Sequence, residues 1–310
     1  MRMSDNNCRN VILGTDWWTD CDDAVAIRIL ARAHLAGRFR VLGIVVDACF
    51  ELSVPSIDAY LSAEGLCDVP LALDQDAVDF GRNPPYQAGL LKYPHRRNNT
   101  DAEDPVRLYR RLIAAADGSV DILEIGYPQA LAAFLESGGD DISPLTGREL
   151  AAQKCGRLWM MAGRWDRDPG RENNFARNVR ASRGGESVCR LWPGEIVFLG
   201  FEVGLGVLTG GRLAENDILA GILRDHGSPN GRSSWDPMLV ELALSGDFEA
   251  SGYTAHRGWA TVDPETGENR FRHDPSGRHC FVSCREPIEF YRDRIDRMIA
   301  SECDYNAFFR

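Results

Sequence analysis

Val11-Ile12-Leu13-Gly14-Thr15-Asp16-Trp17-Trp18-Thr19-Asp20-Cys21-Asp22-Asp23-Ala24 decides the fold. Its first residues are a β-forming apolar run ending in Thr and Asp, and its last enter a helical pattern from Asp22 to about Ala36. A second apolar run follows at 39–48, then a helical pattern from about Val54 to Leu66, then Pro70-Leu71-Ala72-Leu73-Asp74. Strand, helix, strand at this spacing is the rhythm of parallel βαβ units. It resumes with a helix over about Pro105 to Ala116, where Val106, Tyr109, Leu112, Ile113 and Ala116 share a face. A strand at 119–126 and an Ala/Leu-rich helix from Ala130 come next, and the apolar runs at 157–163 and 195–200 read as two more strands. The expected class is α/β, a mostly parallel central sheet with helices on both faces in an open, Rossmann-like architecture. No linker divides the chain, so residues 1–310 are expected to form a single domain.

Outside the βαβ rhythm, residues 80–104 are rich in Pro, Asn and Arg without periodicity, and a loop of that length is a lid or rim candidate. Beyond residue 247 a two-strand pattern surrounds Asp263 to Asn269, and a closing helix is expected near Pro287 to Ala300. The 310 residues are 44% hydrophobic, ample for a core, and the charge of −11 opposes binding to nucleic acid or anionic lipid. The first ten residues are polar and no apolar run is long enough to span a bilayer, so a soluble, cytoplasmic protein is expected. Nine scattered cysteines suggest reduced thiols rather than a disulfide framework. Cys280 and Cys284 lie close together beside His279, but the residues between them read as strand and no second ligand pair is near.

Four carboxylates, Asp16, Asp20, Asp22 and Asp23, fall within eight residues at a strand-to-helix junction, the edge where open α/β sheets bind ligands. Capping of the helix and its dipole accounts for one or two of them. Crowded carboxylates otherwise need protons or a cation, and hard oxygen donors favour Ca²⁺ or Mg²⁺.

The run Thr-Asp-x-x-x-Asp-x-Asp-Asp-Ala resembles the amino-terminal motif of the inosine-uridine nucleoside hydrolases, in a longer variant with Gly14 where the first Asp commonly stands. Three further segments resemble that family in order. Ile125-Gly126-Tyr127-Pro128-Gln129-Ala130-Leu131-Ala132 is similar to its Gly-Pro-Leu-Thr-Asn-Leu-Ala turn, although a βα turn with Pro entering a helix reads the same way. Met161-Ala162-Gly163-Arg164 through Glu172-Asn173-Asn174-Phe175 resembles its Gly-Gly turn followed by Glu-Phe-Asn. Trp235-Asp236-Pro237 stands where the family has His-Asp-Pro, and Asp236 also reads as a helix cap.

The resemblance implies a nucleoside-hydrolase-like fold and hydrolysis of an N-ribosidic bond with a bound Ca²⁺. It implies Asp16 as general base and metal ligand, with Asp23, Asp236 and the Gln129 carbonyl completing the metal set. Asp22, Glu172 and Asn174 would grip ribose hydroxyls, and Asp20 would support the metal ligands or cap the helix. The substrate expected is a small-molecule nucleoside or related riboside, and the assembly a homodimer or homotetramer. Because Trp235 replaces the His that helps the base depart, that role passes to His95, to Arg164 or Arg171, or to stacking on Trp17, Trp18 or Trp235. Two other readings stay open: a ribose- or nucleoside-binding protein without catalysis on the same fold, and a haloacid-dehalogenase-like phosphatase, which needs an Asp-x-Asp block directly on its strand. A dinucleotide site at Gly204-Leu205-Gly206 and Gly210 has the wrong final spacing.

Overall fold

The computed structural model describes residues 8–18 and 20–300; Thr19 and Cys303 lie outside the described residues. In chain order the strands are β1 (Arg9–Thr15), β2 (Phe39–Val46), β3 (Leu71–Leu73), β4 (Val120–Glu124), β5 (Cys155–Met161), β6 (Ile196–Leu199), β7 (Leu208–Thr209), β8 (Arg232–Ser233), β9 (Tyr253–Val262), β10 (Asn269–His273) and β11 (His279–Cys284). Nine of them form one sheet in the order β10-β9-β11-β6-β5-β4-β1-β2-β3, and β7 pairs with β8 apart from it. Every pairing from β3 to β11 is parallel, while β9 lies antiparallel to both β11 and β10. The expected mostly parallel sheet is therefore present, with an antiparallel edge where the two-strand pattern was read.

The central strands are apolar on both faces because both are covered. Val11 and Leu13 of β1 pack with Trp159 of β5 and Val197 of β6 in one core, against helices Asp22–Leu35, Ser53–Ala63, Trp235–Ser245 and Ile288–Ile299. Ile12, Leu158 and Phe198 point the other way, into a core with helices Pro105–Ala115, Gln129–Glu136 and Val179–Leu191. Alternation between two buried faces is what a fully covered parallel sheet requires. Among the described residues no helix is long and apolar enough to cross a membrane.

Strand order fixes where a ligand can sit. From β1 the chain moves outward to β2 and β3, then returns to place β4 on the other side of β1. The crossovers after β1 and β4 leave in opposite directions and open a crevice beyond their carboxyl ends. Asp16 follows β1 there, and Ile125 follows β4.

Candidate active site

A cavity of about 200 Å³ occupies that crevice. Its floor carries Asp16, Asp20, Asp22, Asp23 and Asp236; Ile125, Glu172 and Asn174 stand on a second side; Trp18, Phe201, Arg232 and Trp235 form a third. The residues come from the ends of β1, β4, β5 and β6 and from the start of helix Trp235–Ser245.

The turn after β1 winds tightly around Asp16. The Trp18 N–H donates to Asp16 Oδ1 at 2.9 Å, and the Trp17 N–H donates to Asp23 Oδ1 at 3.3 Å. Trp17 takes the left-handed backbone region with φ 49°, a conformation a bulky residue adopts only when its surroundings enforce it. They do: its ring is fully buried between Tyr60 and Tyr86, and its indole N–H donates to Ser56 Oγ at 2.8 Å. The two neighbouring tryptophans thus part company. Trp17 belongs to the core and is no platform for a base, whereas Trp18 lines the cavity.

Asp22 and Asp23 open the helix Asp22–Leu35, and Asp236 lies in the first turn of helix Trp235–Ser245. Ser234, not Asp236, occupies the capping position, so Asp236 is free of the capping role expected for it. Its backbone N–H instead donates to Asp22 Oδ2 at 3.1 Å, tying the two helix starts together. Asp20, Asp22, Asp23 and Asp236 each offer an oxygen, and these lie within 4.8 Å of one another. Asp22 Oδ1 is buried with no hydrogen-bond partner. Burial, and then the neighbouring acids, push Asp16, Asp22 and Asp236 well above the usual carboxylate range and Asp23 up to about 8. Among the described residues lining the cavity, only Arg232 offsets this charge, through its bond to Asp20 at 3.0 Å. Orphaned oxygen, crowded hard donors and uncompensated charge together fit a divalent cation such as Ca²⁺.

Opposite the acids, Glu172 Oε2 accepts from the Gly163 N–H at 2.9 Å and Oε1 from the Asn174 N–H at 2.8 Å. Burial raises Glu172 to about 7. Asn174 donates to the carbonyls of Met161 at 2.8 Å and Ile125 at 3.3 Å, so both side chains are fixed before any ligand arrives.

Several residues expected at the site lie outside the cavity. Gln129 does not line the cavity. It is the first residue of helix Gln129–Glu136, where its carbonyl joins the helical ladder, and its amide donates to the Asp47 carbonyl at 2.7 Å and Asp74 Oδ2 at 3.2 Å. From this segment it is Ile125 that lines the cavity, its carbonyl accepting from Asn174 at 3.3 Å. His95 is exposed and bonded to the Tyr93 carbonyl at 2.9 Å, away from the cavity. The loop at 80–104 contributes no lining residue; it supports the tryptophans from behind, with Tyr86 donating to the Trp17 carbonyl at 2.9 Å and the Arg82 carbonyl accepting from Trp18 at 2.6 Å. Arg171 is exposed, and Arg164 pairs with Asp166 at 2.7 Å beneath Phe201. Cys280 and Cys284 join no metal-binding group among the described residues.

The aromatic wall carries its own charges. Trp235 stacks on Phe201 with centroids 5.5 Å apart, and its indole N–H donates to the Phe201 carbonyl at 2.6 Å. Arginines lie on all three rings: Arg177 over Trp18 at 4.6 Å, Arg232 over Trp235 at 5.4 Å and Arg164 over Phe201 at 5.2 Å. Of these, only Arg232 lines the cavity, and nothing in its sequence context singled it out.

No protein-family model matches the chain, and no curated protein matches it in sequence. Solved structures match along nearly its whole length. A purine-preferring ribonucleoside hydrolase from Gardnerella vaginalis aligns with a TM-score of 0.68 at 16% identity, covering 94% of this chain and 99% of that one. The chain has the nucleoside hydrolase fold. An inosine-uridine preferring nucleoside hydrolase from Bacillus anthracis agrees, with a TM-score of 0.66 at 15% identity over 94% and 99% of the two chains. The type III effector protein XopQ, solved in complex with adenosine diphosphate ribose, also aligns, with a TM-score of 0.64 at 14% identity over 95% of this chain and 94% of that one. The phosphatase reading lapses with this fold, and also because a single Asp, not an Asp-x-Asp block, follows β1.

Proposed function

We propose that the chain hydrolyses the N-glycosidic bond of a ribonucleoside or related riboside with the help of Ca²⁺. The observation that carries this is the convergence of Asp16, Asp22, Asp23 and Asp236 with Glu172 and Asn174 around one cavity at the sheet's crossover point. When bound, Ca²⁺ would lower the pKa of a water and hold the sugar. Asp20, Asp22, Asp23 and Asp236 converge closely enough to hold it, with Asp16 and Ile125 lining the same cavity.

Hydrolysis replaces the bond from C1′ to nitrogen with a bond from C1′ to the water oxygen, and the base leaves with the electron pair. Asp16 accepts the proton the water loses. Asp22, Glu172 and Asn174 bind the ribose hydroxyls and place C1′ toward that water, which is where orientation contributes most. Glu172 held near neutrality is able to accept or donate a hydrogen bond to a hydroxyl. On the aglycone side the Trp235 N–H is already committed to Phe201, so no ring nitrogen there protonates the base. Arg232 supplies positive charge to a base departing as an anion, and favours leaving groups that need no proton.

Release of free ribose from a nucleoside panel, with and without a calcium chelator, tests the reading. Calcium-dependent release is expected, and absence of ribose from every riboside overturns it. A second reading, a ribose-ligand binder without catalysis, is favoured by the missing acid. Calorimetric binding of adenosine diphosphate ribose without turnover supports it.

A further inference from the structure

The structure assigns to Glu124 a positioning role: its carboxyl group, reaching from β4 into space left open by Gly14 of β1, locks the two strand ends that present Asp16 and the Ile125 carbonyl. The inference rests on the reading of the cavity as a calcium site. Gly14 and Glu124 are partners in the parallel register of β1 and β4. A Cβ on Gly14 would collide with the Glu124 carboxyl group, at 2.5 Å from Oε1 and 2.6 Å from Cδ. The absence of a side chain at position 14 is therefore the condition for that carboxyl group to lie there, between the strands and fully buried.

From that place Glu124 Oε1 accepts from the Gly126 N–H at 3.1 Å and fixes the turn just beyond Ile125. Gly126 in turn packs on the backbone before Asp16: a Cβ there would meet the Asp16 nitrogen and approach the Thr15 carbonyl carbon to 2.7 Å and Asp47 Oδ2 to 2.9 Å. Asp47 joins the same layer from the end of β2, its N–H donating to the Thr15 carbonyl at 2.9 Å. Three strand ends are thus tied together directly beneath the cavity, and two glycines make the approach close enough. Glu124 touches no lining carboxylate by hydrogen bond; it acts through Gly126 and the backbone of Asp16. Supporting groups of this kind typically govern metal affinity by about 10- to 100-fold.

Calcium titration calorimetry on chelator-treated full-length protein tests the assignment, with circular dichroism as the check on folding. Glu124→Met keeps the length and removes the acceptor, so calcium affinity should fall at least about tenfold. Glu124→Gln keeps an oxygen for Gly126 and should recover most of that loss. The double variant Gly14→Asp/Glu124→Ala returns a carboxyl group from β1 into the vacated space and should bind within about tenfold of the wild type, whereas Gly14→Asp alone collides and should bind far worse. Wild-type affinity in Glu124→Met, or equal losses in the Met and Gln variants, would overturn the inference. If Glu124→Met does not fold, a folded double variant that fails to bind calcium overturns it instead. A wild type that binds no calcium removes the reading of the cavity and this inference with it, an outcome distinct from wild-type binding that Glu124 variants leave untouched.

Discussion

Two sets of buried acids in this molecule differ in what neutralises them. At two places away from the cavity, buried charge is matched. Arg28 bridges Glu64 and Asp217 at 2.7 and 2.8 Å, and Asp58 accepts from Arg97 and from the N–H groups of Arg96 and Arg97. Burial alone would raise Asp217 and Asp58, yet the arginines and backbone donors outweigh it and both lie below the usual range. In the cavity floor burial dominates, neighbouring acids add to it, and Asp23 stands near 8. The same residue type is thus a completed ion pair in one place and an unmet demand for positive charge in the other. Unmet demand that persists in a folded chain marks a functional site more reliably than acid content does.

The contrast is broken most severely at Asp16. Asp16→Asn changes little volume but removes the proton acceptor, so ribosidase activity should fall about 10³-fold while the chain stays folded. Wild-type turnover in this variant would refute the assignment. By comparison Arg28→Met strands two buried carboxylates far from the cavity. It should cost about 3 kcal/mol of unfolding free energy in a urea titration, with calcium affinity unchanged. A loss of calcium affinity equal to that of the cavity variants would show the two sets of acids to be one network.

A pH series with and without calcium sharpens the same contrast. Asp23 and Glu172 have folded pKa values raised to about 8 and about 7, above their values in the unfolded chain. Their contribution to stability is therefore complete below about pH 4 and is lost as pH rises through about 7 to 8. In chelator the melting temperature should fall between about pH 5 and about pH 8, apart from the opposite trend of the paired acids, which is finished by about pH 5. Calcium binds the ionised carboxylates, so its stabilising effect should grow over that interval and flatten or reverse the fall. Parallel curves with and without calcium would mean that the cavity acids do not hold the ion.

How far the sequence carries these conclusions depends on whether the signal is local. The strand-to-helix run from Val11 to Ala24 announces both the parallel sheet and the acids, because periodicity and charge sit in adjacent residues. Helix Val179–Leu191 escapes the same reading, since Gly184 and Gly185 weaken its helical pattern; they are there because Gln129 and Phe175 press against them. A backbone carbonyl has no side-chain signature, and the resemblance of the turn pointed to Gln129, whereas Ile125 is the residue of this segment that lines the cavity. Trp17 and Trp18 are equivalent on paper, and only the left-handed backbone at Trp17 sends one to the core and the other to the cavity. Gly14 reads as a lost carboxylate until the partner strand shows Glu124 in its place.

The smallest expected effect lies on the aromatic wall, where Arg232 is, among the described residues, the one cation lining a cavity that also holds six acids. A guanidinium does not give up its proton, so it cannot act as the acid for a departing purine. It can stabilise negative charge on a base that leaves unprotonated, and that help matters in proportion to the charge the leaving group cannot carry by itself. Inosine and uridine depend on it strongly and p-nitrophenyl riboside least, because nitrophenolate leaves readily as an anion. Arg232→Met should therefore lower kcat/KM for inosine by roughly tenfold and for p-nitrophenyl riboside by less than about threefold, while the wild type already prefers the nitrophenyl substrate. Equal losses on both would assign Arg232 to holding Asp20 instead, since a disturbed metal floor slows every riboside alike. The Asp20→Asn variant separates the two cases: it removes the partner of Arg232 and leaves the guanidinium in place, so the ratio of kcat/KM between the substrates should stay at its wild-type value there and widen further toward the nitrophenyl riboside in Arg232→Met.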